Sequence, residues 1–342
     1  MAAAMQLIVE PVTLALKTPF HIAHGVSTAR HNVWVHLGDA VGEAALAPYY
    51  MTTQADVAEY VKGLNADALI GKHPLALEDM LDRLQPGPPQ ARSAVDIMLH
   101  DYWGKRLGQP LYQLWGLNPA RAPNSSITLS LPKNEAELRG RIQKLDGWPI
   151  LKLKLGSGSL DTDEALVRAA RDETKAQLCV DANSAWRVEE AARIIPRLAQ
   201  YDVLFVEQPL ARTSVADWRH LREYLPVGMP PLFADESVQQ SDDILALAGA
   251  VDGVNIKLAK AGGLREARRM ITLARMLGLR VMIGCMIESA VGVTAAAHLA
   301  PLADYADLDG NLDVANDPYA GVMLQHGRLE LPQGPGLGVT RR

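Results

Sequence analysis

Beyond residue 120, short apolar runs of strand length alternate with longer segments that have an amphipathic helical period. This alternation is typical of βαβ units, whose strands pair in parallel. Eight such runs occur, and eight parallel strands most simply close into a barrel. The predicted strands are 127–131, 150–155, 177–183, 204–208, 232–236, 253–258, 281–288 and 305–309.

A different pattern precedes the predicted barrel. Alternating runs at 32–37 and 41–46 predict a small antiparallel sheet, and apolar residues at helical spacing over 90–107 predict a helix. We therefore expect an α+β capping domain over residues 1–120 and the barrel over residues 121–311. The segment 312–342 is rich in Gly and Pro, has no helical period, and is expected to join the cap.

Composition narrows the classes of function. The 342 residues carry a formal net charge of −5 without any dense Lys/Arg run, which argues against nucleic acid or anionic lipid as partner. No apolar run approaches the ~18 residues that span a bilayer, and residues 1–11 lack the pattern of a signal peptide. Cys179 and Cys285 lie in apolar runs and favour buried, reduced thiols. We expect a cytoplasmic protein with a small-molecule substrate; a homo-oligomer is compatible with the pattern.

Carboxylates end three successive predicted strands. Asp181, Glu207 and Asp235 each follow an apolar run. A single Asp at a strand end more often caps the next helix. Three on neighbouring strands, which lie about 4.8 Å apart, converge and repel one another unless a cation lies among them. Oxygen ligands without His or Cys favour Mg²⁺, so the sequence predicts a magnesium site.

Lysines share one face of two predicted strands. Lys152 and Lys154 alternate with leucines, and Lys257 alternates with apolar residues. A solvated edge strand would show the same alternation, but the carboxylates opposite favour a barrel interior. Lys154 and Lys257 are then placed to act on opposite faces of a substrate α-carbon, with Lys152 as a supporting ammonium. A basic lysine needs a pKa near neutrality, which burial, Lys152 and Mg²⁺ would promote.

Other polar residues near the strand ends are less specific. Asp307 and Asp309 share a face of the last predicted strand, where they either cap a turn or bind a cationic group of the substrate. Lys260 lies in a Gly-Gly turn, and either a local contact or a solvated side chain explains it. His298, in an apolar helix, is predicted to be a buried residue with satisfied hydrogen bonds.

Five motifs occur in a characteristic order. Together they resemble the enolase superfamily, muconate lactonizing enzyme subgroup, in which a Lys or His base works with Mg²⁺. The resemblance covers nearly the whole chain and implies a modified (β/α)7β TIM barrel with an α+β capping domain, whose loop at 20–25 closes the site. The motifs are Lys-Leu-Lys at 152–154, Asp-Ala-Asn at 181–183, Val-Glu-Gln-Pro at 206–209, Ala-Asp-Glu-Ser at 234–237 and Asn-Ile-Lys-Leu-Ala-Lys-Ala-Gly-Gly at 255–263.

Within that subgroup, Asp307-Leu-Asp309 resembles the dipeptide epimerases, which invert the α-carbon of the C-terminal residue of a dipeptide. The resemblance implies that Lys154 and Lys257 transfer the α-proton through a Mg²⁺-stabilised enediolate, and that Asp307 and Asp309 hold the ammonium. His24 and Met286 become candidate substrate contacts. Glu288 would contact substrate or pair with a lysine, and the pairing is the favoured alternative.

The resemblance leaves the substrate open. The best-known members act on L-Ala-D/L-Glu and present an arginine near Phe20, whereas here the nearest arginine is Arg30. By this resemblance L-Ala-L-Glu or a related dipeptide is the expected substrate, while the missing arginine counts against an acidic side chain. The alternatives are an o-succinylbenzoate synthase or N-acylamino acid racemase, whose substrates lack a free ammonium, and a non-catalytic binding barrel. A non-catalytic barrel is expected to have lost a lysine or metal ligand, and this sequence keeps them all.

Overall fold

The computed structural model describes residues 6–23, 25–145, 147–212 and 214–342. Its N-terminal part is an antiparallel sheet followed by helices, as the alternating and helical patterns predicted. The predicted helix at 90–107 is confirmed and begins one residue earlier. The elements are β1 (Leu7–Ile22), β2 (Gly25–Leu37), β3 (Ala40–Ala44), α1 (Gln54–Lys62), α2 (Ala66–Ile70), α3 (Leu77–Asp82), α4 (Pro89–Leu107) and α5 (Leu111–Leu114).

The stretch 20–25, expected as a loop that closes the site, is largely a β-ribbon. β1 and β2 pair as far as Ile22 and Gly25, past a register shift between Ala15 and Phe20. Cross-strand hydrogen bonds extend the pairing there, which is why the segment is not a free loop. The ribbon still reaches the barrel, because the Leu131 amide donates to the His21 carbonyl at 2.9 Å. His24 lies outside the described residues.

The second part is a parallel eight-stranded sheet in sequential order. The last strand returns to the first through a parallel bridge between Ser125 and Ala306, which closes the barrel. This confirms the predicted (β/α)7β TIM barrel with a capping domain. Its elements are β4 (Ile127–Leu129), α6 (Glu135–Ile142), β5 (Ile150–Lys154), α7 (Leu160–Glu173), β6 (Gln177–Asp181), α8 (Val188–Leu198), β7 (Val203–Glu207), α9 (Val215–Tyr224), β8 (Leu232–Ala234), α10 (Ser241–Leu247), β9 (Gly253–Lys257), α11 (Leu258–Ala261), α12 (Leu264–Met276), β10 (Arg280–Gly284), α13 (Ala290–Ala297) and β11 (Tyr305–Asp307).

Several strands end earlier than their apolar runs suggested. The run 281–288 is strand only as far as Gly284, and its remainder is a loop that leads to the N-cap of α13. There the Ser289 hydroxyl accepts from the Val291 amide. The apolar run therefore continues past the end of the strand, because the capping domain buries the loop as well.

The barrel interior is layered. Phe205 and Phe233, with ring centroids 4.6 Å apart, belong to an apolar floor at the amino ends of the strands. Residues two apart share a face, so Lys152 and Glu207 point into the same interior further along. The floor keeps water from reaching the charged layer from below. The other floor residues are Ile150, Cys179 and Met282.

The segment after β11 packs against the N-terminal elements. The Leu111 amide donates to the Gly336 carbonyl at 3.0 Å, and the Leu337 amide donates to Asp101 Oδ1 at 2.8 Å. Its short strands are β12 (Tyr319–Ala320), β13 (Met323–Gln325), β14 (Arg328–Glu330) and β15 (Thr340–Arg341). None of the helices in the described ranges is long and apolar enough to cross a membrane.

His298 confirms its prediction as a buried, satisfied residue. Its Nδ1 lies 3.3 Å from the Tyr112 amide and its Nε2 lies 3.1 Å from the Leu337 carbonyl. The amide must donate to Nδ1, and Nε2 must donate to the carbonyl, so these partners assign the neutral tautomer. Burial lowers the pKa of His298 to about 4.

The neutral imidazole makes the stability of the fold dependent on pH. The unfolded chain binds a proton near the ordinary pKa of about 6.5 while the folded chain does not, so stability falls as the pH drops from 6.5 toward 4. We expect His298 to account for about 3 kcal/mol of this loss. Urea unfolding of the wild type and His298→Gln between pH 7 and pH 4 measures it; equal slopes for both proteins would contradict the assignment.

Candidate active site

The three predicted carboxylates meet at the carboxyl ends of adjacent strands. Asp181 and Glu207 are the last residues of β6 and β7, and Asp235 directly follows β8. All three are buried, and one oxygen from each lies within 4.8 Å of the others. Strand register produces this convergence, since Asp181 pairs with Glu207 across the sheet.

The donor set suits a hard divalent cation. Glu207 Oε1 accepts from Asn255 Nδ2 at 2.8 Å, while Oε2 has no aligned donor among the described residues, although Lys152 Nζ lies 2.7 Å away. Burial and the neighbouring charge of Asp181 raise the pKa of Glu207 to about 8. Burial and the neighbouring negative charge disfavour the ionised form of Glu207, an added cation would favour it, and an all-oxygen set without nitrogen or sulfur fits Mg²⁺.

Lys154 and Lys257 lie on opposite sides of the triad. Lys154 Nζ is 2.6 Å from Asp181 Oδ2, and Lys257 Nζ is 2.7 Å from Asp235 Oδ2. Their strands, β5 and β9, are separated by four positions in a closed sheet of eight, which places them across the barrel from each other. The three carboxylates lie at the carboxyl ends of β6, β7 and β8, the strands between β5 and β9.

The expectation of a lysine pKa near neutrality depends on Mg²⁺ and stays a prediction; direct contact with a carboxylate acts in the opposite direction at Lys257. Burial lowers the pKa of Lys257, but the adjacent Asp235 carboxylate outweighs it and holds the pKa well above its usual value. The ammonium is in direct contact with the carboxylate, and an opposite charge at that distance favours the charged form.

Lys152 is a third buried cation beneath the pair. Its Nζ lies 2.7 Å from Asp307 Oδ2, 2.7 Å from Glu207 Oε2 and 3.3 Å from Asp181 Oδ2. Burial lowers the pKa of Lys152, yet these carboxylates together raise it well above the usual value. Lys152 is therefore a fixed positive charge that links the last strand to the triad.

Asp307 and Asp309 meet at Thr128 of β4. Asp307 Oδ1 accepts from the hydroxyls of Ser126 and Thr128, and its Oδ2 accepts from Lys152. Asp309 Oδ2 accepts from the Thr128 amide at 2.6 Å. Burial raises the pKa of Asp309 to about 7, with a further contribution from Asp307, whereas Lys152 holds the pKa of Asp307 at about 2. Only Asp309 of this pair lacks a described cationic partner.

The structure decides between the two alternatives for Lys260 and removes the favoured alternative for Glu288. Lys260 is buried in α11, which precedes the Gly-Gly turn, and donates to the carboxylate and carbonyl of Asp235; the local contact is therefore the correct alternative, and the side chain is not solvated. Glu288 forms no ion pair with a lysine in the described ranges. Its Oε1 instead accepts from the Met286 amide at 2.8 Å, because the loop after β10 curls around it.

Met286 and the cap lie over the barrel mouth. Met286 is buried with Ala259 of α11 and Ala47 of the loop after β3. The Tyr49 hydroxyl donates to Met286 Sδ at 3.5 Å. The structure therefore brings Met286 to the edge of the site beneath the cap, where the resemblance implied a substrate contact.

Two residues next to the metal-ligand candidates could not be identified from the strand pattern. Gln208 Oε1 accepts from the Asp235 amide at 2.9 Å and so orients that strand end. Glu236 is buried, accepts from Asn183 Nδ2 at 3.2 Å, and burial together with Asp235 raises its pKa to about 7. Strand alternation assigns both residues to the outer face, so it could not identify them. Their presence in the motifs Val-Glu-Gln-Pro and Ala-Asp-Glu-Ser was the signal that could have identified them.

Comparison with known families agrees with this architecture. Residues 135–342 match the family described as "Enolase C-terminal domain-like". Residues 4–116 match "Mandelate racemase / muconate lactonizing enzyme, N-terminal domain". The chain belongs to the enolase superfamily. The motif-based resemblance is thereby confirmed.

Characterised relatives of this enolase-superfamily chain include dipeptide epimerases. It is 37% identical to an L-Ala-D/L-Glu epimerase of Bacteroides thetaiotaomicron, over 98% of this chain and 88% of the relative. It is 39% identical to a hydrophobic dipeptide epimerase of Roseobacter litoralis, over 73% of each chain. A dipeptide epimerase from Enterococcus faecalis, solved with Mg and L-Leu-L-Tyr, is 30% identical with a TM-score of 0.89, covering 99% of this chain and all (100%) of that one.

Proposed function

We propose that this chain is a Mg²⁺-dependent dipeptide epimerase that inverts the α-carbon of the C-terminal residue. The observation that carries the proposal is the placement of Lys154 and Lys257 on opposite sides of three buried carboxylates. Inversion requires a proton donor and a proton acceptor on opposite faces of one carbon, and a single base could only return the proton to its own face.

Asp181, Glu207 and Asp235 would hold the Mg²⁺. When bound, the ion supplies positive charge to the substrate carboxylate and so stabilises the negative charge that develops when the α-proton leaves. Because Asp181 and Glu207 end β6 and β7 and Asp235 directly follows β8, the carboxyl ends of these strands would determine where the substrate carboxylate binds.

The two lysines move the proton. In one direction the neutral amine of Lys154 takes the α-proton, and the ammonium of Lys257 gives a proton to the opposite face; the reverse direction exchanges these roles. One lysine gains the proton that leaves the substrate and the other loses the proton that the substrate receives, so the net charge of the pair is unchanged. Lys152 stays protonated because three carboxylates surround it.

The dipeptide ammonium would bind at the end of β11. Asp309 is the acceptor we favour, because Asp307 already accepts from Lys152, Ser126 and Thr128. Asp307 would instead hold the Lys152 ammonium in place beside the triad. A cation beside Asp309 would favour its charged form, which burial and Asp307 disfavour.

This assignment separates dipeptides from acylated amino acids, which carry no ammonium. We expect Asp309→Asn to lower kcat/KM for L-Ala-L-Glu by about 10- to 10²-fold, the usual effect of losing a charged hydrogen bond. N-acetyl-L-Ala-L-Glu is the matched substrate, and its slower turnover should change little. Equal losses on both substrates would remove Asp309 from ammonium binding.

A mixed L,L-dipeptide library in D₂O tests the proposed function directly. Epimerisation replaces the α-hydrogen with deuterium, so mass spectrometry identifies any substrate whatever its side chains. We expect deuterium in the C-terminal residue of a subset of dipeptides, and only with Mg²⁺. Formation of succinylbenzoate or racemisation of N-acylamino acids, with no labelled dipeptide, would contradict the proposal.

Location and self-association remain predictions. Cys179 and Cys285 are both free; Cys179 is buried as predicted, whereas Cys285 is only half-buried, because it follows the end of β10. Sedimentation of the purified protein would determine whether it forms a homo-oligomer.

A further inference from the structure

A buried carboxylate of the capping domain binds the barrel at the start of α13. Glu43 of β3 is 2% exposed. Its oxygens accept from the Ser289 amide at 3.0 Å, the Ser289 hydroxyl at 2.5 Å and the Gly292 amide at 3.0 Å. The Gly292 amide lies in the first turn of the helix, where amides have no partner within the helix and a negative charge is favourable. The side chain that satisfies this amide comes from the other domain.

Two more side chains of the capping domain bind at the same point. Asn32 Nδ2 donates to Glu43 Oε1 at 2.9 Å and to the Ile287 carbonyl at 3.2 Å. The Trp34 indole donates to Ser289 Oγ at 3.1 Å. Ser289 therefore accepts from the indole while it donates its own hydroxyl proton to Glu43. The capping domain thus holds the last residues of the loop after β10 through several hydrogen bonds, and most of them end on the Glu43 carboxylate.

The loop after β10 forms one edge of the site. It begins after Gly284 and ends at Ser289, the N-cap of α13. A Cβ atom at Gly310 would lie only 2.0 Å from the Met286 carbonyl oxygen, so the two backbones are in close contact. Gly310 directly follows Asp309, the residue that we favour as acceptor of the dipeptide ammonium. The position of Asp309 therefore depends on the position of this loop.

We infer that Glu43 is a positioning residue for the substrate: through Ser289 it fixes the loop after β10, and through that loop it sets Met286 and Asp309 at the ammonium end of the dipeptide. This inference rests on the proposed epimerase function. The hydrogen bonds of Glu43 go to β2 and to the start of α13, whereas the metal-ligand candidates lie at the ends of β6 to β8. Loss of Glu43 should therefore weaken dipeptide binding and leave Mg²⁺ binding intact.

Glu43→Gln is the isosteric variant for the test, because it removes the charge and replaces one acceptor oxygen with a donor. With L-Ala-L-Glu and saturating Mg²⁺ we expect KM to rise by about tenfold and kcat to stay within about threefold, since binding lost equally from the ground and transition states raises KM alone. The Kd of Mg²⁺, measured by calorimetry, should also stay within about threefold. A wild-type KM, or an equal weakening of Mg²⁺ binding, would overturn the inference.

Ser289→Ala is the milder second variant, and it keeps the test decisive if Glu43→Gln does not fold. It removes only the hydroxyl that donates to Glu43 and accepts from Trp34. We expect a smaller rise in KM, by about threefold, again with little change in kcat. Because both substitutions break one contact, the double variant should have nearly the KM of Glu43→Gln; a KM that rises by the product of the two single effects would contradict a path through Ser289.

Asp101→Asn is the control for a purely structural role. Asp101 is also a buried carboxylate of the capping domain, and it accepts from the Val41 amide at 2.9 Å and the Leu337 amide at 2.8 Å. Urea unfolding should show a loss of stability in both Asp101→Asn and Glu43→Gln, because each leaves buried amides without an acceptor. Only Glu43→Gln should raise KM. The same rise in both variants would make Glu43 purely structural.

Methyl NMR of methionine-labelled protein measures the loop position without turnover. The Met286 signal is assigned by its absence in Met286→Leu. With Mg²⁺ and no dipeptide, Glu43→Gln should shift this signal, and Asp101→Asn should leave it in place. If no dipeptide reacts, the proposed function fails, yet a shift confined to Glu43→Gln would still support the control of the loop by Glu43. An unchanged Met286 signal in Glu43→Gln would overturn that control.

Discussion

Replacing Lys154 or Lys257 with alanine is expected to lower the rate of dipeptide epimerisation by about 10³- to 10⁴-fold, the range that positioned acid–base groups contribute. Each lysine contacts a different carboxylate of the triad, Lys154 contacting Asp181 and Lys257 contacting Asp235. Because both groups act in every turnover, either loss should stop inversion in both directions.

Steady-state kinetics with Mg²⁺ present would measure this effect. Lys175→Ala is the matched control, since Lys175 is exposed at the amino end of β6. Substrate binding should remain in both active-site variants, because the carboxylate ligands and Asp309 are untouched. Turnover within tenfold of the wild type in either variant would remove that lysine from proton transfer.

The second large effect concerns stability. Lys152→Met should destabilise the folded protein by about 3 to 5 kcal/mol, the usual cost of removing one partner from a buried ion pair. Lys152 is fully buried among Asp181, Glu207 and Asp307, which would be left facing one another without that ammonium. Addition of Mg²⁺ should reduce the loss, because a cation bound only by the folded state stabilises it.

Urea unfolding with and without Mg²⁺ provides the measurement, and Lys175→Met provides an exposed control. We expect the control to lie within about 0.5 kcal/mol of the wild type. A Lys152→Met protein as stable as the wild type in the absence of Mg²⁺ would show that these carboxylates do not depend on the ammonium.

Much of the site follows from strand periodicity alone. The barrel interior could be predicted for Lys152, Lys154 and Lys257, because residues two apart in a strand point to the same face. The convergence of Asp181 with its neighbours followed from the fixed spacing of parallel strands. Side-chain alternation and strand spacing are local rules, and the structure follows them at each of these strand ends.

Contacts over long sequence separations could not be predicted in this way. The Glu288 carboxylate turns back to the Met286 amide, and the expected lysine pair does not form, because the loop after β10 adopts a shape that no periodicity encodes. The Tyr49 hydroxyl reaches Met286 Sδ only through the docking of the cap on the barrel. The pKa of Lys257 could not be predicted either, because it depends on the distance to the Asp235 carboxylate, and a sequence does not give that distance.

The most direct test of the account is the stereochemistry of deuterium exchange in the two lysine variants. L-Ala-L-Glu and L-Ala-D-Glu would each be incubated in D₂O with Mg²⁺ and followed by proton NMR. The account predicts that Lys154→Ala labels only one of the two epimers, that Lys257→Ala labels only the other, and that neither variant interconverts them. Labelling of the same epimer by both variants would contradict the placement of the two lysines on opposite faces of the α-carbon.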